Sequence, residues 1–377
     1  MNRRERLMAT LRGEPVDRPA VYFTEITGQE DLDNLDPFNI YSDPSWRPLI
    51  ELAREMTDRI VTRGVAYRLA QPDPLEELSE TQTFLRGGSR FTLRQVQAGA
   101  RTLTSRTRRD PDVNTVWTIE PLLKDADDLR AFLEIPWSSA DGCVDPSSVT
   151  ETETMLGDTG IVMIDTPDPL CLAAELFDMA EYTVVALTEP ALFRALLERF
   201  AAALLPKTEA VARALPGRLW RIYGPEYASP PYLPPRLFRE YVYTYVTPMI
   251  ESIQRYGGYA RIHSHGRLKA ILDDIAAMRP DGLDPIEPPP QGDVELAYVR
   301  ERYGKDMVLF GNLEASDIEN LPAPQFAEKI RRAIAEGTSG SGRGFVLMPS
   351  ACPYGRKLSD LALSNYEAMV EIATGAR

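Results

Sequence analysis

From about Gly160 onward, short apolar runs alternate with longer stretches of helical periodicity. GIVMID (160–165) is apolar up to its last residue, the pattern of a strand covered on both faces. Helical patterns follow over 170–187 and 190–214, and RLWRIYG (218–224) predicts the next strand. A proline-rich loop, PEYASPPYLPP, then leads into an amphipathic helix from about Pro235 to Tyr256. The alternation continues as GYARIH (258–263) with a helix over 267–278, and DGLDPIE (281–287) with a helix over 293–303. DMVLFGN (306–312) precedes a helix over 324–336, and RGFVLMPS (343–350) precedes a terminal helix over 360–373. Upstream, RPAVYF (18–23) and DRIVTR (58–63) raise the strand count from six to eight. Strands separated by helices of this length imply βαβ units and a parallel sheet, and eight units imply a closed α/β barrel, the (β/α)₈ or TIM barrel.

One segment departs from this rhythm. Residues 80–120 read as antiparallel hairpins, with Gly87-Gly88 and Asp110-Pro111-Asp112 at turns. We read residues 1–377 as one barrel domain carrying 80–120 as a β-hairpin insertion over one end. An open doubly wound sheet is the structural alternative, and it is weakened by the absence of any G-x-G-x-x-G after a first strand.

Composition narrows the function classes. Lysine plus arginine total 42 against 56 for aspartate plus glutamate, a net charge of −14 that repels a phosphate backbone and argues against nucleic acid. No apolar run reaches the roughly 20 residues of a membrane span, and MNRRERLMATLRGEP does not read as a signal peptide. Three dispersed cysteines, Cys143, Cys171 and Cys352, argue against a disulfide framework. These features predict a cytoplasmic protein whose ligand is a small molecule or another protein, with homodimer formation left open.

Candidate chemistry concentrates at the predicted C-terminal ends of the strands, where barrel enzymes build their sites. The chain has two histidines, and they form the single motif His263-Ser264-His265. In a strand, positions i and i+2 share a face, so both imidazoles can converge on one point. Such a pair can be a metal site, since neutral imidazole suits zinc, or a pair of hydrogen-bonded core residues. Cys352, after the last strand, reads either as a thiolate ligand or as a small buried hydrophobe. Glu226 lies in YGPEYASPPY, where stiff prolines can hold a carboxylate between the aromatic walls of Tyr223 and Tyr227. Glu25 after the first strand, Glu287 at the end of the sixth and Asn312 at the end of the seventh occupy the same level. We take Glu25, Tyr223, Tyr227 and Asn312 as substrate-binding candidates.

The opening RERLMATLRGEPVDRPAV, the segments RTLTSRTRRD and VWTIEPLLKDADDLRAFLEIP, GGYARIHSHG, YGKDMVLFGNLEASDIENLP and the terminal SNYEAMV together resemble the uroporphyrinogen decarboxylase superfamily, in particular its methyltransferase branch. The resemblance implies a methyltransferase of the demethylase type, working with zinc and with a cobalamin carried on a separate corrinoid protein. Carried over to this chain, the zinc ligands are His263, His265 and Cys352, with Glu226 as fourth ligand or close neighbour, and His265 and Glu226 are the catalytic residues. His265 stands where that branch has a cysteine. More imidazole and less thiolate leaves more charge on the metal, so an O- or N-methylated donor is expected, methoxylated aromatics among them. The alternative is a metal-independent decarboxylase, but TEITGQEDLDN lacks the arginines of the decarboxylases' substrate loop. A third reading, a non-catalytic carrier barrel, would present a partner surface and no open metal position.

Overall fold

The computed structural model describes residues 1–137 and 141–375. Its strands are β1 (Ala20–Val21), β2 (Arg59–Arg63), β3 (Ala66–Leu69), β4 (Ser79–Arg86), β5 (Ser89–Ala98), β6 (Arg101–Arg109) and β7 (Val116–Glu120). The chain continues with β8 (Gly142–Asp145), β9 (Gly160–Pro167), β10 (Leu219–Tyr223), β11 (Tyr259–His263), β12 (Gly282–Asp284), β13 (Val308–Leu313) and β14 (Phe345–Pro349). Eight of them form one parallel sheet in the order β1-β14-β13-β12-β11-β10-β9-β2. Helices separate its strands, so the predicted α/β barrel is the observed architecture.

The ring closes between β1 and β2 through one aspartate. The Asp58 N–H donates to the Val21 carbonyl at 2.7 Å, and Asp58 Oδ2 accepts the Val21 N–H at 2.9 Å. That buried carboxylate is matched by Arg6 at 2.6 Å and Arg18 at 2.7 Å.

Side-chain alternation sorts the barrel into two apolar regions. Val162, Ile164, Trp220, Ile222, Ala260, Ile262, Leu309 and Leu347 face outward and join the core shared with the helices. Ile60, Ile161, Met163, Leu219, Val308, Phe310 and Val346 form a second, interior cluster. Leu7 and Leu11, from the helix Arg3–Arg12, belong to that interior cluster and stopper the end of the barrel where the strands begin. The helix starts on a reciprocal Asn2–Glu5 capping box and ends at Gly13 in the left-handed conformation, φ +71°.

The irregular segment is a four-stranded antiparallel sheet, β4-β5-β6-β7, as its hairpin signals predicted. Not foreseen was the pairing of β3 with β8, which joins the chain on either side of the insertion. The turn after β6 lies against loops at the strand C-termini. Arg109 donates to the Phe38 carbonyl at 2.7 Å, and Arg356 N–H donates to the Asp112 carbonyl at 2.7 Å. The insertion therefore packs beside the mouth and contacts the loop that carries Cys352. Among the described residues no helix is long and apolar enough to cross a membrane.

Candidate active site

The floor of the mouth follows from register. Arg221 of β10 stands in register between Asp165 of β9 on one side and Arg261 of β11 on the other. Arg221 grips Asp165 with two hydrogen bonds, 2.7 and 2.9 Å, and reaches Glu25 at 3.4 Å. Arg261 is 1% exposed, lies 4.8 Å from the Phe310 ring centroid, and sets its Nε 2.8 Å from Asp284 Oδ1. Gly282, opposite Arg261 in the β11–β12 register, leaves room for Phe310, because a Cβ there would fall 2.8 Å from the ring.

His263 and Asp284 are also register partners, and their side chains meet as Nδ1–Oδ2 at 2.7 Å. His265 lies beyond the strand end, with Nδ1 2.8 Å from Glu287 Oε1. The Gly266 N–H donates to the other Glu287 oxygen at 2.7 Å. The two imidazoles stand edge to face, with centroids 4.6 Å apart. Burial raises the Asp284 pKa, but Arg261 and His263 outweigh it and bring it down to about 2. Burial likewise lowers the His265 pKa, yet the hydrogen bond and charge of Glu287 prevail and raise it above the ordinary value.

Glu226 follows β10 in a 3₁₀ turn and accepts the Gly224 N–H at 3.0 Å. Gly224 has φ +117°, and a Cβ on it would lie 2.4 Å from both Asp168 Oδ1 and Cys171 Cβ, so only glycine suits this corner. Asp168 is fully buried and caps the helix Pro169–Ala174, with Oδ2 unpartnered among the described residues. Burial pushes its carboxyl well above the usual range, with Glu226 adding to the shift.

Glu226, Tyr227, Tyr232, Met179, His265, Arg267 and Glu287 line one pocket of about 530 Å³, a size suited to a small ligand. The sequence candidates divide around it. Tyr227 forms its wall, while Tyr223 sits on β10 beside His263 in register. Asn312 lines a separate cavity of about 130 Å³ together with Glu314. Cys352 belongs to another group: its thiol donates to Glu25 Oε2 at 3.3 Å. Burial and that carboxylate push the thiol pKa up, so it is protonated here. Glu25 adopts φ +64°, an uncommon conformation for a non-glycine residue. Among the described residues, no three His, Cys, Asp or Glu side chains are gathered closely enough to hold a metal ion.

Sequence reasoning missed Asp165, Asp168, Arg221, Arg261, Asp284 and Glu314. Asp284 carried a usable signal, since it stands in the predicted strand that follows His-x-His in chain order.

Along its full length the chain overlays a methyltransferase from Methanosarcina mazei with a TM-score of 0.60 and 16% identity, covering 100% of this chain and 99% of that one. An L-ribulose 3-epimerase overlays at TM-score 0.39 and 13% identity, covering 67% and 89% of the two chains. A D-psicose 3-epimerase from Clostridium cellulolyticum H10 overlays at 0.33 and 11%, covering 62% and 78%. The first likeness is one of fold, and the other two are too loose to bear on anything further. No curated protein matches the sequence. The match that decides the family is to Uroporphyrinogen decarboxylase (URO-D), over residues 153–375. It spans more than half of the chain and takes in β9 to β14 with both histidines and Cys352, so the protein belongs to the uroporphyrinogen decarboxylase family.

Proposed function

We propose that this barrel is a methyltransferase that moves a methyl group between a small O- or N-methylated molecule and a corrinoid held by a separate protein. The observation that carries the reading is the histidine pair at the mouth. Each Nδ1 is engaged by a carboxylate, and His265 shares a pocket with Glu226 and an aromatic wall. The imidazoles fit zinc, because ligating histidines commonly hand their other ring nitrogen to a carboxylate. His263, His265 and Cys352 would hold the ion, with Glu226 beside it. Cys352 would first have to leave Glu25 and lose its proton. Zinc there supplies a Lewis acid for the heteroatom that bears the methyl group.

The chain's own groups do the rest. Tyr227 and Tyr232 give the donor an apolar wall. Glu226 is the carboxylate in the pocket suited to take or return a proton on the demethylated heteroatom. The partner's corrinoid would supply the nucleophile for the methyl carbon, and the electrons of the broken bond would stay on the heteroatom, which Glu226 is placed to protonate. The decarboxylase alternative is less favoured. A polycarboxylate needs several free cations, and with Arg221 matched by Asp165 and Arg261 by Asp284, Arg267 alone of these three arginines has no ion-pair partner among the described residues.

The test is metal quantification of the purified protein, with a screen of methylated compounds against a reduced corrinoid protein. About one zinc per chain and methylcobalamin formed from an O- or N-methyl donor are expected. Protein that takes up no transition metal, even after zinc is added, overturns the zinc assignment. The absence of methyl transfer from every donor class overturns the activity.

A further inference from the structure

We propose that Asp284 and Glu287 are positioning residues that hold both histidines in one tautomer, with the proton on Nδ1 and a bare Nε2. The inference rests on the reading of His263 and His265 as ligands, and it extends that reading to the residues behind them.

Asp284 lies between a guanidinium and an imidazole: Oδ1 is 2.8 Å from Arg261 Nε and Oδ2 is 2.7 Å from His263 Nδ1. The buried guanidinium keeps that carboxylate ionised, although Arg261 Nε and Asp284 Oδ1 form no aligned hydrogen bond, and an ionised carboxylate can only accept, so Oδ2 accepts from the Nδ1–H of His263. Glu287 is held in the same sense. A backbone N–H, which can only donate, occupies Oε2 from Gly266 at 2.7 Å, and Oε1 stands 2.8 Å from His265 Nδ1. An imidazole facing an acceptor through Nδ1 keeps its proton there, so in the neutral ring Nε2 carries a lone pair. Neither Nε2 has a hydrogen-bond partner among the described residues.

The two clamps differ in rigidity. His263 and Asp284 are side chains of adjacent strands, 12% and 1% exposed, in a ladder that fixes their spacing. His265 and Glu287 sit in loops past the strand ends, where His265 is 35% exposed. His263 is therefore the fixed member of the pair and His265 the more adjustable one.

Because these are the chain's two histidines, ¹⁵N-histidine labelling gives two ring spin systems, which the spectrum of His265→Ala assigns. Long-range ¹H–¹⁵N spectra of metal-free protein at mildly alkaline pH should show both rings as the Nδ1–H tautomer. Glu287→Gln should release His265 into a tautomer mixture and leave His263 unchanged, and Asp284→Asn should do the converse. Zinc affinity, measured by competition with a chromophoric chelator, should fall about 10- to 100-fold in each variant, the usual cost of losing such a partner. Asp284→Asn also disturbs a buried arginine, so Glu287→Gln with unchanged circular dichroism is the decisive variant if the other misfolds. Wild-type rings in the Nε2–H form overturn the proposal, as does a Glu287→Gln protein that keeps both tautomer and zinc affinity. Wild-type rings in the Nδ1–H form with no zinc uptake uphold the positioning and overturn the zinc reading instead.

Discussion

The two ends of the barrel interior are built from the same strands and could hardly differ more. Where the strands begin, Ile60, Ile161, Leu219, Val308 and Val346 pack against Leu7 and Leu11 of the stopper helix, all almost fully buried. A few residues further along, the inward positions become Asp165, Arg221, Arg261, His263 and Asp284. The first end is an ordinary apolar core whose area stabilises the fold at about 25 cal/mol per Å². The second places charges where burial is costly, and such pairs seldom repay their desolvation. A protein that keeps them spends stability on a site. The apolar end should therefore answer to stability measurements alone, and the charged end to activity measurements, with stability lost there only when one member of a buried pair is removed without the other.

The largest effect should come at the charged end. His265→Ala is expected to abolish methyl transfer, a loss of at least about 100-fold if the histidine is a ligand to the electrophile. Stability should stay within about 1 kcal/mol, because His265 lies past the strand end and contributes little packing. The assay is methylcobalamin formation from cob(I)alamin at constant donor, followed by absorbance. Full activity would make the histidine pair structural and move the reactive centre elsewhere.

Next in size is Asp284→Ala, which leaves Arg261 buried without its counter-charge. Urea unfolding should show a loss of about 3–5 kcal/mol, the usual cost of breaking a buried pair. The double replacement Arg261→Met with Asp284→Leu should recover most of that stability while activity stays lost. A double variant as unstable as the single one would mean that the charged end, too, is there for the fold.

At the apolar end, Leu7→Ala should cost about 2–4 kcal/mol through the cavity it leaves under the stopper helix. Its kcat per folded molecule should not change. A fall in kcat at temperatures where the variant is fully folded would blur the division between the ends.

The smallest effect is a pH dependence near the mouth. Burial, with Glu287 adding to it, raises the Glu314 pKa to about 7, so the fold favours its protonated form. The unfolded chain releases that proton near the ordinary glutamate value of about 4.3. This group's cost to stability is therefore absent below that pH and grows as pH rises toward 7. Glu314→Gln should flatten the part of the Tm-against-pH curve between about pH 4.5 and 7. An unchanged slope would show that Glu314 ionises in the folded state without penalty.

Some of the molecule can be read from local pattern. The apolar run of GIVMID, the hairpin turns at Gly87-Gly88 and the spacing of strand and helix signals all act within a few residues, and they predicted the barrel and its insertion. The His-x-His motif was legible in the sequence, but the expectation that both residues share a strand face was not met, because β11 ends at His263 and His265 lies in the loop beyond it. Strand lengths were less so: the predicted 18–23 and 281–287 pair over Ala20–Val21 and Gly282–Asp284 alone. Pro285, which has no N–H to donate, follows the second of these directly.

Tertiary structure decided who meets whom. The β3–β8 pairing joins short, half-exposed segments on either side of the insertion, and nothing in either one names its partner. Cys352 meets Glu25 across most of the chain, and Asp284 meets Arg261 and His263 because β12 docks on β11 in one register out of several. Periodicity is a property of neighbours along the chain, so the sequence by itself determined the eight barrel strands, the hairpins of the insertion and the candidate histidines. Register, ring closure through Asp58 and the pairing of buried charges are set by contacts distant in sequence, and only the closed barrel brought them together.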